Sequence, residues 1–199
     1  MRNLLIIMFL LTGLTACNTE HADIKDGWKE MGGILERIQA PEFPDRQFYV
    51  TDFGAKDNGE ICTDAFRKAI ETCHEAEGGR VVVSAGTYLT GAIHLLSNVE
   101  LHVEEDATIL FSTNPKDYLP VVHTRFEGME LYNYSPLIYA YKQENIAITG
   151  KGLLDGQASI RNWWAWKRNS VELMEQGRPS QKHPDNVPRL LELMNNDVP

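Results

Sequence analysis

A short aromatic and basic segment carries side chains suited to binding a ligand that has an apolar ring face and a negative charge. Trp163 and Trp164 are adjacent, and Lys167 and Arg168 follow them closely. Indole rings stack on the apolar faces of sugars, and cationic side chains pair with carboxylates. These four residues are therefore the candidate substrate-binding residues of the sequence. Alternatively, the tryptophans pack a loop against the body of the protein, and this is the role that we favour for the rings.

Closely spaced carboxylates could supply a general acid and a general base. Glu104 and Asp106 would share one face of a strand at a separation of about 6.6 Å, which suits displacement by water at a glycosidic bond. They stand between two apolar runs, however, where a solvated turn is the expected structure. Asp155 precedes a glycine and is expected in a turn, and the Asn-Asn-Asp stretch at 195–197 follows a helix-like apolar pattern. We assign no catalytic residue within the sequence.

The histidines and cysteines indicate neither a metal site nor a disulfide. The six histidines lack the spacing of metal ligands, and no phosphate-binding loop or nucleophile elbow is present. His94 and His102 lie in strand-like runs and are expected to be packing or surface residues. Cys62 and Cys73 would be about 16 Å apart along a helix, which is too far for a disulfide. We predict no metal and no cofactor.

The amino terminus resembles a bacterial export signal. Leu4 to Leu11 is an unbroken apolar run, shorter than the about 20 residues that span a bilayer. Leu-Thr-Ala-Cys at 14–17 resembles a lipobox, so residues 1–16 are predicted to be removed and Cys17 to carry lipid. An ordinary cleaved signal is the alternative. We expect a membrane-anchored lipoprotein in the periplasm or at the cell surface.

The composition limits the partners and the number of domains. The formal net charge is −9, and it becomes −10 without residues 1–16, because Arg2 is the single charged residue there. This acidic balance argues against nucleic-acid binding. It does not exclude a polyanionic sugar, because charges far from a binding groove are screened. We expect a tether and extension over residues 17–44 and one monomeric domain over residues 45–199.

One strongly amphipathic helix is predicted from Thr63 to Ala76, among short β-prone runs. Thr63 or Asp64 is expected to cap it, and the glycines at 78–79 are expected to end it. A weaker helical pattern over 24–38 is interrupted by two glycines. The apolar face of the strong helix comprises Ala65, Phe66, Ala69, Ile70, Cys73 and Ala76. The runs that predict strands are 48–50, 80–83, 87–89, 92–95, 99–103 and 108–111.

A faint repeat suggests how these strands are arranged. Residues 97–102 match residues 144–149 at an offset of 47 residues, which we interpret as two solenoid turns of about 23 residues each. Asn98 and Asn145 would then lie at matching bends, where asparagine tolerates the left-handed conformation. The open end of a solenoid exposes apolar core and strand edges. We therefore interpret the helix at 63–76 as a cap over that end.

An ordered series of motifs resembles a known enzyme family. Over about residues 30–199 the sequence is similar to the amino-terminal half of the polygalacturonase-like glycoside hydrolases of family 28. The motifs that carry the resemblance are Ile-Leu-Glu-Arg-Ile-Gln-Ala-Pro (34–41), Val-Thr-Asp-Phe-Gly-Ala-Lys-Asp-Asn-Gly (50–59), Gly-Gly-Arg-Val-Val-Val (78–83), Gly-Ala-Ile-His-Leu (91–95), Gly-Lys-Gly (150–152), Leu-Asp-Gly (154–156) and Trp-Trp (163–164).

The resemblance implies an all-β fold, a right-handed parallel β-helix with an amino-terminal capping helix and an excursion at about 157–196. It also implies hydrolysis of galacturonan-type bonds in pectic polysaccharides, with inversion. The family's catalytic and substrate motifs, Asn-Thr-Asp, Asp-Asp, His-Gly and Arg-Ile-Lys, do not occur in the sequence. We expect them beyond residue 199, so the helix would be incomplete at its carboxyl end and the chain an inactive fragment.

Two other functions remain open on the same fold. A polysaccharide lyase would use calcium and an Arg or Lys base. A non-catalytic glycan-binding or tailspike-like module would use the segment 163–168 directly. Calcium dependence would favour the lyase, whereas binding of oligogalacturonides without turnover would favour the binding module.

Overall fold

The computed structural model describes residues 24–159, 161–164 and 185–196. The chain divides into two compact units, residues 1–40 and residues 41–199. In the first unit, helix α1 (Ile24–Arg37) continues through the two glycines that weaken its pattern. Among the residues that the structure describes, none of the helices combines the length and apolar character needed to span a bilayer.

The second unit is built mainly from short strands. In chain order they are β1 (Gln47–Tyr49), β2 (Gly79–Val83), β3 (Gly86–Thr90), β4 (Ile93–His94), β5 (Val99–Val103), β6 (Ala107–Phe111), β7 (Val122–Phe126), β8 (Met129–Asn133), β9 (Ile138–Tyr139), β10 (Ala147–Gly150) and β11 (Leu153–Asp155). The strands predicted between 80 and 111 are confirmed to within two residues at each end. The strand predicted at 48–50 ends at Tyr49, because Val50 begins a 3-10 helix that runs to Phe53.

The strands stack in parallel along three sheets. The first sheet has the order β1, β2, β5, β10, the second has β11, β6, β3, and the third pairs β4 with β9. In the first sheet Val81 lies beside Leu101, and Leu101 lies beside Ile148. One circuit of the chain thus supplies β2, β3 and β4, and the next supplies β5, β6 and β9. This confirms the predicted stack of parallel strands.

The repeat at an offset of 47 residues is confirmed, but its division into two turns is wrong. Ile148 lies directly beside Leu101 and Thr149 beside His102, so one circuit accounts for the whole offset. The extra length lies between β6 and β9. It forms a 3-10 helix (Pro115–Tyr118) and the antiparallel hairpin of β7 and β8. A solenoid tolerates such an insertion because only its strands must stay in register.

The two asparagines of the repeat occupy matching bends, as predicted. Asn98 has a φ of 66° and Asn145 a φ of 51°. The side-chain amide of Asn145 donates to Oδ1 of Asn98 at 3.1 Å and to the backbone oxygen of Glu42 at 2.9 Å. Stacked circuits are therefore joined by side chains as well as by strand ladders.

Helix α2 (Thr63–Glu75) confirms the predicted amphipathic helix, but its predicted cap is wrong. The N-cap position is Cys62, and no side chain caps the helix. Oγ1 of Thr63 instead accepts a hydrogen bond from the backbone N–H of Gly91 at 2.7 Å, so the hydroxyl ties the helix to the strand layer. The helix packs against the 3-10 helix at 50–53 and against β1, β2 and β4. Its buried face comprises Ala65, Phe66, Ala69, Ile70 and Cys73.

About half of the predicted excursion at 157–196 lies outside the described residues. Its described end is helix α3 (Asn186–Asn195), which confirms the helix-like pattern before Asn196. The domain boundaries at residues 16 and 44 stay predictions.

Candidate functional site

A surface cavity lies where the hairpin of β7 and β8 meets the strand β9. Its volume is about 350 Å³, which is at the lower end of the range of small-molecule pockets. We call it the hairpin pocket. Its lining combines aromatic rings with one cation and one carboxylate, and includes His123, Arg125, Glu130, Tyr139 and Tyr141.

The local sequence explains why these side chains meet. Glu127 and Gly128, both with positive φ (48° and 88°), form the two-residue turn between β7 and β8, a geometry that matches the twist of paired strands. His123 and Arg125 are two residues apart in β7, so their side chains point to the same face of the hairpin. Strand β9 is held separately, by parallel pairing of its Tyr139 with His94 of β4.

Aromatic contacts join the hairpin to Tyr139 of β9 and to Tyr141, which lies two residues after the end of that strand. The His123 ring lies 5.5 Å from the Tyr132 ring and 5.2 Å from the Tyr141 ring, centroid to centroid. The rings of Tyr139 and Tyr141 are nearly parallel, with 11° between their planes and 6.5 Å between their centroids. The Tyr139 hydroxyl donates to the backbone oxygen of His123 at 2.7 Å. Burial raises the pKa of Tyr139, which keeps this hydroxyl a neutral donor.

The charged groups of the pocket are weakly engaged with each other. Nη2 of Arg125 lies 3.8 Å from Oε1 of Glu130, and both side chains are well exposed, at 70% and 64%. An exposed pair at this separation contributes little binding energy. Nζ of Lys142 lies 5.2 Å from the centre of the Tyr141 ring. Two cations thus lie beside the aromatic surface.

A second polar cluster lies on the first sheet and is satisfied internally. The Glu100 carboxylate, 8% exposed, accepts from Nε of Arg80 at 2.8 Å and from the Thr149 hydroxyl at 2.6 Å. Burial opposes its ionisation, but these hydrogen bonds and the charge of Arg80 prevail, so the pKa of Glu100 is lowered. Nδ1 of His102 lies 2.7 Å from the Thr149 hydroxyl. The cluster joins three neighbouring strands, so its role is structural.

The predicted binding segment is only partly described. The Trp163 ring packs edge-on against Tyr118 at 6.1 Å, and its Nε1 donates to the Gly156 oxygen at 3.0 Å. This contact agrees with the packing role that the sequence favours for the rings. Trp164 is 52% exposed. Lys167 and Arg168 lie outside the described residues, as does Cys17.

The local carboxylate candidates lie where the solvated-turn interpretation expects them. Glu105 and Asp106 form an exposed turn between β5 and β6, directly after Glu104. Oδ1 of Asp155 accepts from the backbone N–H of Gln157 at 2.7 Å, which is a turn role. The stretch at 195–196 ends helix α3. These positions bring no pair of carboxylates together across a cleft.

His94 and the two described cysteines have structural contacts. Nε2 of His94 lies 3.0 Å from the Ser135 hydroxyl, and its ring contacts Tyr139. Cys62 and Cys73 are buried and unbridged, and burial raises the pKa of Cys73 to about 11. Within the part of the chain that the structure describes, no three His, Cys, Asp or Glu side chains group closely enough to hold a metal ion.

The residues of the hairpin pocket were not predicted from the sequence. One signal was available: Tyr132 and Tyr134, and then Tyr139 and Tyr141, recur at every second residue. That spacing places rings on one face of an extended chain. It does not reveal that the hairpin folds back onto β9, because the contact between them is not local.

Comparisons with known proteins identify relatives of the chain. No protein-family model matches the chain. It is 33% identical over 130 residues to an exo-poly-alpha-D-galacturonosidase of Dickeya chrysanthemi, covering 61% of this chain and 20% of that protein. It is 30% identical over 145 residues to a probable polygalacturonase of Vitis vinifera, covering 67% of this chain and 29% of that protein. The chain thus spans less than a third of the length of either curated relative.

Two solved structures of exopolygalacturonases also match the chain. The chain superposes on a hyperthermoactive exopolygalacturonase from Thermotoga maritima with a TM-score of 0.76 and 45% identity, over 86% of this chain and 38% of that one. A family 28 exopolygalacturonase from Yersinia enterocolitica matches with a TM-score of 0.50 and 35% identity, over 57% of this chain and 21% of that one. The chain is therefore related to the polygalacturonases of glycoside hydrolase family 28.

Proposed function

We propose that this chain is the amino-terminal part of a pectin-degrading glycoside hydrolase that cleaves galacturonan-type bonds with inversion. The observation that carries the proposal is the match to the Thermotoga maritima exopolygalacturonase over 86% of the chain at 45% identity. At this level of identity the two proteins share much of the sequence of their successive circuits as well as a fold. The substrate of the whole protein is then a pectic polysaccharide, and we expect the whole protein to act as a monomer without a cofactor.

The two ends of the strand stack support an incomplete right-handed β-helix with one capped end. Helix α2 packs on the side of β1 and β2, where we infer that it covers the first circuit. At the other end Ile148 is 44% exposed, whereas its register neighbour Leu101 is 0% exposed. Leu154 is likewise 40% exposed beside a fully buried Ile109. Inward-facing apolar residues of this kind need a further circuit to cover them.

We infer that the catalytic carboxylates lie on such further circuits. An inverting hydrolase needs one acid and one base about 6.5–9.5 Å apart, with room for a water between them. Of the candidate carboxylates, Glu104, Asp106 and Asp155 lie in or beside turns. The carboxylate of Glu100 is engaged by Arg80 and Thr149. The 199 residues alone are then inactive, and the completed helix supplies the chemistry.

The test compares the 199-residue chain with the product of the complete gene on polygalacturonate. Release of reducing ends measures hydrolysis, and proton NMR of the first product measures the configuration at the new anomeric carbon. We expect hydrolysis with inversion by the complete product and none by the 199 residues. An unsaturated product that requires calcium would establish the lyase instead. Binding of oligogalacturonides by the complete product without turnover would establish a glycan-binding module.

We also propose that export and lipidation at Cys17 anchor the enzyme to a bacterial membrane. The support is the apolar run followed by Leu-Thr-Ala-Cys in the sequence. In bacteria, wild-type protein should incorporate labelled palmitate and sediment with membranes. Cys17→Ser should lose the label, whereas Cys62→Ser, at a buried position, should retain it. Equal labelling of both variants would refute lipidation at this residue.

We propose a substrate contact for the segment 163–168 through Trp164, Lys167 and Arg168. Trp164 is half exposed, whereas the Trp163 ring is engaged with Tyr118. Trp164→Ala should therefore weaken binding of oligogalacturonide to the complete product without lowering its melting temperature. Trp163→Ala should lower the melting temperature. If both variants weakened binding equally and lowered the melting temperature equally, the assignment of a binding role to Trp164 and a packing role to Trp163 would be refuted.

A further inference from the structure

We propose that the hairpin pocket is a subsite for one uronic acid residue of the substrate, with the sugar face on Tyr141 and the carboxylate on Arg125. The choice of an acidic sugar rests on the proposed function, and the existence of the subsite rests on the geometry of the pocket. The pocket is lined by the hairpin, by β9 and by the residues next to β9, and none of its lining residues belongs to the segment 163–168.

The size of the pocket suits a single sugar residue. A cavity of about 350 Å³ that opens to the surface holds one pyranose ring and leaves both of its linkages free to continue outward. Small-molecule pockets begin at roughly 300 Å³. A pocket of this volume is too small to enclose a longer oligosaccharide, so the contact is with one unit of a chain.

The aromatic surface provides the apolar face that a pyranose needs. Tyr141 is 44% exposed, and its ring is held in place by His123 on one side and the parallel Tyr139 ring on another. Tyr139 is itself fixed by its hydrogen bond to the His123 oxygen. A ring fixed in this way loses little conformational entropy when a ligand binds.

The charges select an acid over a neutral sugar. Arg125 faces Glu130 across 3.8 Å in an exposed setting, so this pair is worth little and is easily exchanged. A ligand carboxylate can approach the guanidinium in a bidentate geometry and form shorter, charge-assisted hydrogen bonds. Lys142, beside the Tyr141 ring, adds a second positive charge near the same place.

The experiment measures binding of trigalacturonate to the 199-residue chain by titration calorimetry, with its methyl ester as the uncharged probe. We expect the acid to bind more tightly than the ester. Arg125→Gln should weaken binding of the acid by about tenfold, the cost of one charge-assisted hydrogen bond, and should leave the ester unaffected. Tyr141→Ala should weaken both. Melting temperatures of all variants establish that they fold.

Two matched controls lie outside the pocket. Lys116→Gln removes a cation from the 3-10 helix, and Tyr134→Ala removes a tyrosine that is 49% exposed. Both should bind like the wild type. Equal affinity for acid and ester, or the same loss in Lys116→Gln as in Arg125→Gln, would overturn the subsite.

The outcome for the subsite is separable from the outcome for the proposed function. Hydrolysis of polygalacturonate by the complete gene product, with trigalacturonate binding unchanged by both pocket variants, overturns the subsite and leaves the function standing. Binding that follows the predicted pattern, in a complete product that does not hydrolyse polygalacturonate, supports the subsite and overturns the function.

Discussion

Replacement of Asn145 tests whether paired asparagines hold successive circuits together. Its side-chain amide makes two hydrogen bonds, at 3.1 Å to Asn98 and at 2.9 Å to the Glu42 oxygen. Each is worth about 1 kcal/mol. Its φ of 51° lies in the left-handed region, which costs an ordinary L-residue about 1 kcal/mol or more.

Two substitutions separate these contributions. Asn145→Gly loses the hydrogen bonds but keeps the backbone conformation, so the free energy of unfolding should fall by about 2 kcal/mol. Asn145→Ala also strains the backbone, so it should fall by about 3 kcal/mol. Urea unfolding followed by circular dichroism measures both values, provided that the slope against urea is unchanged.

A position with the same backbone but no stacked partner provides the control. Glu127 has a φ of 48° in the hairpin turn and an exposed side chain. Glu127→Ala should change the free energy of unfolding by less than about 0.5 kcal/mol, as at other surface positions. If Asn145→Ala changes it as little as Glu127→Ala does, the ladder contributes nothing and the reasoning fails.

Three further predictions concern the core, a buried carboxylate and the last described circuit. Phe66→Ala, at a residue 1% exposed, should lower the free energy of unfolding by about 3–5 kcal/mol, and Phe66→Leu by clearly less; equal losses would refute packing of α2 as the cause. Glu100 has a lowered pKa, so its charge stabilises the fold above the ordinary value near 4.3 and this stabilisation is lost as the pH falls through the folded value. Glu100→Gln should therefore destabilise the protein at neutral pH and progressively less below about pH 4, as urea unfolding at several pH values will measure. A Cβ at Gly150, whose φ is 99°, would overlap the carbonyl oxygen of Val103, so Gly150→Ala should raise hydrogen exchange in β10 but not in β2.

Local patterns predicted the parts of the fold that depend on local forces. Helix α2 was predicted to within one residue of its end at Glu75, because its apolar residues define one face and glycines follow it. Its cap was predicted wrongly because the hydroxyl of a threonine at a helix start can form a hydrogen bond with a group outside the helix. Thr63 bonds to Gly91, a partner distant in the sequence, and no pattern near the helix indicates that contact.

The length of a solenoid turn could not be predicted from two copies of a motif. The preceding circuit separates Val81 from Leu101 by 20 residues, so an offset of 47 residues is naturally divided in two. The structure shows one circuit with an insertion, because strand pairing fixes only the residues in register. The residues between β6 and β9 are free to leave the stack, and their number carries no information about the circuits.

The same freedom of the insertion bears on where the candidate ligand-binding groups of this chain lie. Within the described residues, every buried side-chain nitrogen or oxygen has a hydrogen-bond partner. The buried polar groups of the stacked strands are therefore already paired. Glu100 is an example, because its carboxylate accepts hydrogen bonds from Arg80 and Thr149. In the hairpin, by contrast, Arg125 has a distant and exposed partner in Glu130. A stacked core must satisfy its own polar groups to be stable, so groups that bind a ligand must be exposed, either on the outer surface of the circuits or on insertions such as this hairpin. Sequence periodicity gives the least guidance for the insertions.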